Sequence, residues 1–307
     1  MLDRRIVLRG LGILGAALAG SACQVRPTVE LRLAAGEPGG FFWEFAGLLA
    51  AAADRAATAR ITPLKSAGSR DNLDALRSGR AELALSLIDT AYESPDRDNL
   101  TAVGGVYENY FQVAVRGDSP IVSTDDLRGR VVSVGAKGSG ATALSGRVLT
   151  AAGLAGPGEV RDVELSMHDA ADALSAGSVD AVMWAGGLPT PAFADSGADI
   201  RLLDLTAVVA TLRNSFGTAY EAVLVPADVY GRHPAVTTVG VTNVLLARRD
   251  VADDVVAGIV DVLIDDSSDL VPAQAVGSQF LDAQSLILTG AIPLHPGAAQ
   301  EYRRRHG

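Results

Sequence analysis

Gly36-Glu37-Pro38-Gly39-Gly40 returns 99 residues later as Gly135-Ala136-Lys137-Gly138-Ser139-Gly140, each copy between an apolar strand-like run and a helical run. A second pair keeps almost the same offset of 98: Ala75-Leu76-Arg77-Ser78-Gly79-Arg80-Ala81-Glu82 and Ala173-Leu174-Ser175-Ala176-Gly177-Ser178-Val179-Asp180. Gly79 and Gly177 suit the left-handed residue just past a helix end. Two long segments therefore repeat one architecture, which points to two similar lobes rather than a short repeat array. Strand runs are expected at Glu30–Ala35, Leu83–Ile88, Phe111–Arg116, Val131–Val134, Ala181–Trp184 and Ala222–Val225. Helices are expected at Phe42–Arg55, Asn72–Ser78, Thr142–Ala152, Met167–Ala176 and Val251–Asp265. Their alternation is that of an α/β fold.

Three times a strand, a Gly/Ser-rich loop and a helix start occur together, at Gly36–Gly40, Ser66–Asn72 and Gly135–Thr142. Unpaired N–H groups at a helix start carry partial positive charge, and glycine lets a ligand approach the backbone, so such ends hold phosphate or carboxylate. Gly and Ser before a helix also serve as plain turn and cap residues, Ser69 among them. Lys137, in the second-lobe loop, is either a charged ligand contact or a solvated side chain.

The chain of 307 residues is 48% hydrophobic and 20% charged, which excludes a mainly disordered protein, and its single cysteine excludes a disulfide scaffold. A formal charge of −10 and the absence of a basic run argue against nucleic acid as a partner. Arg303-Arg304-Arg305 reads as a helix end. No GxxxxGK[ST], HExxH or GxSxG occurs, and His168, His233, His295 and His306 lack metal-ligand spacing. Asp125-Asp126, Asp253-Asp254 and Asp265-Asp266 fit caps and turns better than acid–base pairs. The reading is a protein that is not an enzyme, with no catalytic residue, no metal and no cofactor.

At the amino terminus, Arg4, Arg5 and Arg9 precede an uncharged stretch from Gly10 to Ala22 that ends at Cys23. Its 13 residues are too few to span a bilayer, for which about 20 apolar residues are needed, so residues 1–22 read as a signal peptide. Leu18-Ala19-Gly20-Ser21-Ala22-Cys23 resembles a bacterial lipoprotein box, which makes Cys23 the lipidation site and the lipid the membrane anchor. Asp3-Arg4-Arg5-Ile6-Val7-Leu8-Arg9 also resembles a twin-arginine signal, and the general export route stays open beside it. Losing three arginines and one aspartate makes the exported part more acidic still.

Beyond these local signals, the chain resembles the TAXI-type solute receptors of TRAP (tripartite ATP-independent periplasmic) transporters. The similar segments are Gly36–Phe42, Ser66–Leu73, Leu85–Asp89, Asp126–Val131, Val134–Gly140, Ala185–Pro191 and Pro293–Ala298. The resemblance implies a class II periplasmic-binding-protein fold, two α/β lobes with a ligand cleft between them and closure by hinge motion. Residues 24–113 and 239–307 would form lobe 1 and residues 114–238 lobe 2, with hinge strands near Phe111–Arg116 and Thr237–Val241. It further implies an extracytoplasmic lipoprotein that captures a small carboxylate, such as glutamate or 2-oxoglutarate, and delivers it to the TRAP permease membrane subunit. Carried over by motif, the ligand contacts are Gly39, Gly40, Phe41, Ser69, Asn72, Asp89, Gly138, Ser139 and Gly140, with Asp89 suited to an ammonium or hydroxyl on an amino-acid ligand. Phe41-Phe42 stands where the family has an aromatic pair with a hydroxyl, and Ala141 where it has threonine. An extracytoplasmic sensor presenting the solute to a membrane signalling partner would share this fold and ligand chemistry.

Overall fold

In the computed structural model, residues 29–272 and 281–306 are described. The signal segment and Cys23 lie outside them. From the amino-terminal side run β1 (Glu30–Ala34), α1 (Phe41–Arg55), β2 (Arg60–Leu64), α2 (Ser69–Arg77), β3 (Leu83–Leu87), α3 (Ile88–Tyr92) and β4 (Thr101–Arg116). The chain continues through β5 (Val131–Ser133), α4 (Gly140–Ala151), β6 (Arg161–Val163), α5 (Met167–Ser175), β7 (Ala181–Gly186), α6 (Pro191–Ala194), β8 (Ile200–Leu202), α7 (Thr206–Phe216) and β9 (Tyr220–Val225). It closes with β10 (Val236–Ala247), α8 (Asp253–Asp265), α9 (Ala283–Leu286) and α10 (Pro296–His306).

The strand order β2-β1-β3-β10-β4-β7-β5-β6 contains the same unit twice. β2-β1-β3 is a parallel set with its first strand in the middle, and β6-β5-β7 repeats that arrangement. The two Gly-rich loops follow the central strands β1 and β5. Gly79 and Gly177, at φ +70° and +73°, sit just past α2 and α5. Between the two sets lie β4 and β10, antiparallel to each other and to their outer neighbours. β4 leaves the first set to pair with β7 in the second, and β10 returns to pair with β3 in the first. The chain thus crosses between lobes on two long central strands, which places the segments Phe111–Arg116 and Thr237–Val241 in the middle of the sheet.

Burial explains why these segments fold as they do. All five residues of β3, Leu-Ala-Leu-Ser-Leu, are buried, as expected for a strand covered on both faces. Helix α1 buries Phe41, Phe45, Ala46, Leu49, Ala52 and Ala53, an apolar stripe at helical spacing. One continuous apolar core runs through Leu87, Phe111, Leu144, Met183 and Leu246, so both lobes share it. Only six residues of β4 were expected as a strand, yet it has 16 residues and starts at Thr101. Gly104 and Gly105 hid its first half because the carboxy-terminal segment packs directly on them. A Cβ at Gly104 would meet the Tyr302 hydroxyl at 2.8 Å, and one at Gly105 the Leu288 carbonyl at 3.0 Å. The Arg303–Arg305 run forms the last turn of α10, where Arg305 pairs with Asp265 at 2.6 Å and Arg304 with Asp261 at 3.3 Å.

Candidate functional site: a cleft at three helix starts

Both Gly-rich loops and the Ser66 loop meet at one place. A cleft of about 790 Å³, including its open mouth, is walled by Gly36–Pro38, Gly40–Phe42 and Ala67–Ser69 from the first lobe and by Gly135, Ala136 and Ser139–Ala141 from the second. Helices α1, α2 and α4 begin there. α1 and α2 have glycine N-caps, Gly40 and Gly68, with no side-chain cap. The first N–H groups of a helix have no intrahelical acceptor, so each start presents donors and partial positive charge. The loops of the two lobes touch. A Cβ on Gly68, which has φ +122°, would lie 3.3 Å from Cα of Ser139, and one on Gly140 only 2.6 Å from Oγ of Ser69. Glycine at these two positions is what lets α2 and α4 start against one another.

Side chains fasten the loops. Ser66 Oγ accepts from the N–H of Gly36 at 2.8 Å and of Gly68 at 3.2 Å, and donates to Asn72 Oδ1. Asn72, fully buried, donates through Nδ2 to the Leu85 carbonyl at 2.7 Å and so ties the loop to β3. Ser69 Oγ accepts from the N–H of Leu87 at 3.0 Å, which leaves its own proton free to be donated. In the second lobe Ser139 caps α4, accepting from the N–H of Thr142 at 3.1 Å, while Thr142 Oγ1 donates to the Ala136 carbonyl at 2.5 Å. Since that fixes the Thr142 proton, Ser139 Oγ donates to Thr142 Oγ1 at 3.0 Å.

Of the residues carried over as ligand contacts, Gly40, Phe41, Ser69, Ser139 and Gly140 line the cleft. Gly39, Asn72, Asp89 and Gly138 are not part of its wall. Gly39 packs at the mouth, where a Cβ would lie 3.3 Å from Cε1 of His168, and Gly138 faces Ala67. Asp89 is engaged elsewhere. Its carboxylate accepts from Arg147 on α4, from the Tyr220 hydroxyl at 3.0 Å and from the N–H of Thr90 at 2.6 Å. Burial pushes the Asp89 carboxyl above its ordinary range, with Arg147, Tyr220 and Thr90 opposing that shift. Burial also works against the Arg147 charge, but Asp89, Tyr220 and Glu93 hold its guanidinium above its ordinary value.

Most of the remaining wall is apolar. Leu87, Leu165, Met183, Trp184 and Phe193 line it, with the Trp184 and Phe193 rings stacked at 3.9 Å and Trp184 Nε1 held by Thr190 Oγ1 at 3.0 Å. Among the residues lining the cleft there is no Lys or Arg; Glu37 and His168 are its ionisable side chains. Lys137 is exposed and outside the wall. Asn109 of β4 also lines the cleft, at 4% exposure, with its Oδ1 unpartnered. A polar residue within an apolar strand was the only sequence signal for it. Among the described residues no His, Cys, Asp and Glu group is arranged to hold a metal, and no helix is long and apolar enough to cross a membrane.

The architecture is shared with solved proteins. A protein of Bordetella bronchiseptica RB50 matches at 16% identity and a TM-score of 0.54, over 90% of this chain and 89% of that one. A Xanthomonas citri protein solved with chloride ion bound matches at 15% identity and a TM-score of 0.50, over 90% and 95%. The periplasmic aliphatic sulphonate binding protein SsuA from Escherichia coli matches at 21% identity and a TM-score of 0.49, over 79% and 72%. At such identities the likeness is one of fold alone, the two-lobed α/β arrangement described above. Residues 33–305, most of the chain, match the NMT1-like family, and the chain belongs to that family.

Proposed function

We propose that this chain is an extracytoplasmic solute-binding protein, anchored by lipid at Cys23, that captures a small organic anion of the carboxylate class and delivers it to the membrane subunit of a TRAP permease. One observation carries the binding reading. Three helix starts from two lobes, α1, α2 and α4, open into a single cleft with no Lys or Arg among its lining residues. Such a site recognises an anion through backbone N–H groups and the helix dipoles. Hydrogen bonds to a charged group contribute about 1.5–3 kcal/mol each, so a few of them suffice for micromolar capture. The net negative charge does not oppose this strongly, because screening sets in over roughly 8 Å at physiological salt while the N–H groups act at contact distance.

The permease partner and the carboxylate class are supported by the segments quoted above from Gly36 to Ala298, which resemble TAXI-type receptors. In this reading residues 24–113 with 239–307 and residues 114–238 move as lobes about β4 and β10, closing over the ligand. A thermal-shift screen of the purified protein against carboxylates, sulfonates and neutral solutes tests it. A ligand at 100 times its dissociation constant adds about 2.7 kcal/mol of stability. Stabilisation by anions supports the reading, and stabilisation only by neutral or cationic solutes rejects it.

A further inference from the structure

Asn109 and the apolar wall say more about the ligand than its charge. Asn109 sits on β4 opposite Val241 on β10. Its amide orientation follows from its neighbours. The Tyr107 carbonyl accepts only, so Asn243 must turn Nδ2 toward it, at 3.5 Å, and Oδ1 toward Asn109. Asn109, which lines the cleft, therefore gives Nδ2 to Asn243, at 3.3 Å, and leaves its buried Oδ1 without a partner. A buried acceptor in that state calls for a donor, and the cleft is where one can arrive.

Resting on the solute-binding reading, we infer that the ligand carries one anionic head, one hydroxyl or amino hydrogen-bond donor that meets Asn109 Oδ1, and an apolar body against Trp184, Phe193 and Met183. A second carboxylate finds no fixed cation: beside Glu37 the ionisable side chain of the wall is His168, which packs against Gly39 before the start of α1 and not among Trp184, Phe193 and Met183. No Lys or Arg lines the cleft, and the buried Arg147 is bound to Asp89, Tyr220 and Glu93. A dicarboxylate would set its second charge against the apolar wall, and a charge buried without a partner is strongly disfavoured. The class is an apolar 2-hydroxy or 2-amino acid rather than glutamate or 2-oxoglutarate.

Calorimetric titration with matched probes separates the parts of this inference. 4-Methyl-2-oxopentanoate and 2-oxoglutarate share head and oxo group and differ in body; 2-hydroxy-4-methylpentanoate and its 2-oxo partner differ in the donor. The 4-methyl acids are expected to bind at least tenfold tighter than 2-oxoglutarate, and the hydroxy acid several-fold tighter than the oxo acid. Asn109→Leu should abolish the hydroxy preference and bring the hydroxy and oxo acids to equal affinity. Leu165→Lys, at a part-exposed position of the wall, should raise affinity for 2-oxoglutarate. Tighter binding of 2-oxoglutarate by the unmutated protein overturns the inference and leaves the solute-binding reading standing. An equal affinity of the unmutated protein for hydroxy and oxo acids overturns the role of Asn109, whether or not Asn109→Leu folds. No binding by any organic anion at millimolar concentration overturns both.

Discussion

Replacing Arg147 by methionine removes one half of an ion pair that joins the lobes. Asp89 follows β3 in the first lobe and Arg147 lies on α4 in the second, and the two are 3% and 6% exposed. Exposure decides the magnitude. An exposed pair contributes about 0–1 kcal/mol, whereas deleting one partner of a buried pair costs about 3–5 kcal/mol because a charge is left uncompensated. Glu93, whose side chain is 54% exposed, adds at the lower of these scales. Arg147→Met should therefore lose about 3–5 kcal/mol, which is a large share of a typical folding free energy. Asp89→Asn should lose less, because the amide oxygen still accepts from Thr90 and Arg147 keeps Glu93. The double variant should fall well short of the sum, since it leaves no isolated charge. Urea unfolding of the four proteins measures this. Single losses under about 1 kcal/mol, or additive effects, would refute the buried-pair account. The same variants bear on the ligand: Asp89→Asn should leave the ratio of affinities for an amino acid and its 2-oxo acid unchanged.

Burial, with Glu221 nearby, pushes the Glu108 carboxyl up to about 7. An acid whose folded value lies above its unfolded value favours the folded state in its protonated form, so the fold loses stability as pH rises from about 4.5 through about 7. Glu108→Gln should thus gain melting temperature over the parent between pH 5 and 8; a constant difference across that range would contradict it. Asn72→Ala frees the Leu85 carbonyl and Ser66 from their partner, and should cost about 1–3 kcal/mol in chemical unfolding while weakening anion binding several-fold through the displaced loop. Cys23→Ser should release the protein from the membrane fraction to the soluble fraction on fractionation of expressing cells, and unchanged retention would reject the lipid anchor.

The parts of the fold legible in the sequence were those held by local contacts. The loops after β1 and β5, the helices behind them and the turns at Gly79 and Gly177 depend on residues close in the chain, and the 98–99 residue offset marks the duplicated unit. Less legible was what long-range pairing decides. The alternation of β4 is broken by Gly104-Gly105 and by Glu108-Asn109, which make sense only once β10 and the carboxy-terminal segment lie against them. Arg147 stands in an alanine-rich helix and reads as a surface residue; Asp89 and Tyr220, 58 and 73 residues away, draw it inside. Asp89 looked free for the same reason. Ser66, within a recognised loop, was not singled out although it joins two loops by three hydrogen bonds. Of the paired aspartates, Asp126 completes a capping box with Ser123, Asp253-Asp254 stand in the first turn of α8, and Asp265 pairs with Arg305.

The claim at the centre of this account is that backbone donors at the starts of α1, α2 and α4 hold the negative charge of the ligand. Titrating the protein by calorimetry with 2-hydroxy-4-methylpentanoate and with its neutral carboxamide isolates that charge. The amide oxygen still accepts, at about 0.5–1.5 kcal/mol for a neutral bond against about 1.5–3 kcal/mol for a charged one, so two or more such bonds should make the acid bind at least about thirtyfold tighter than the amide. Equal affinities for the two would contradict the account.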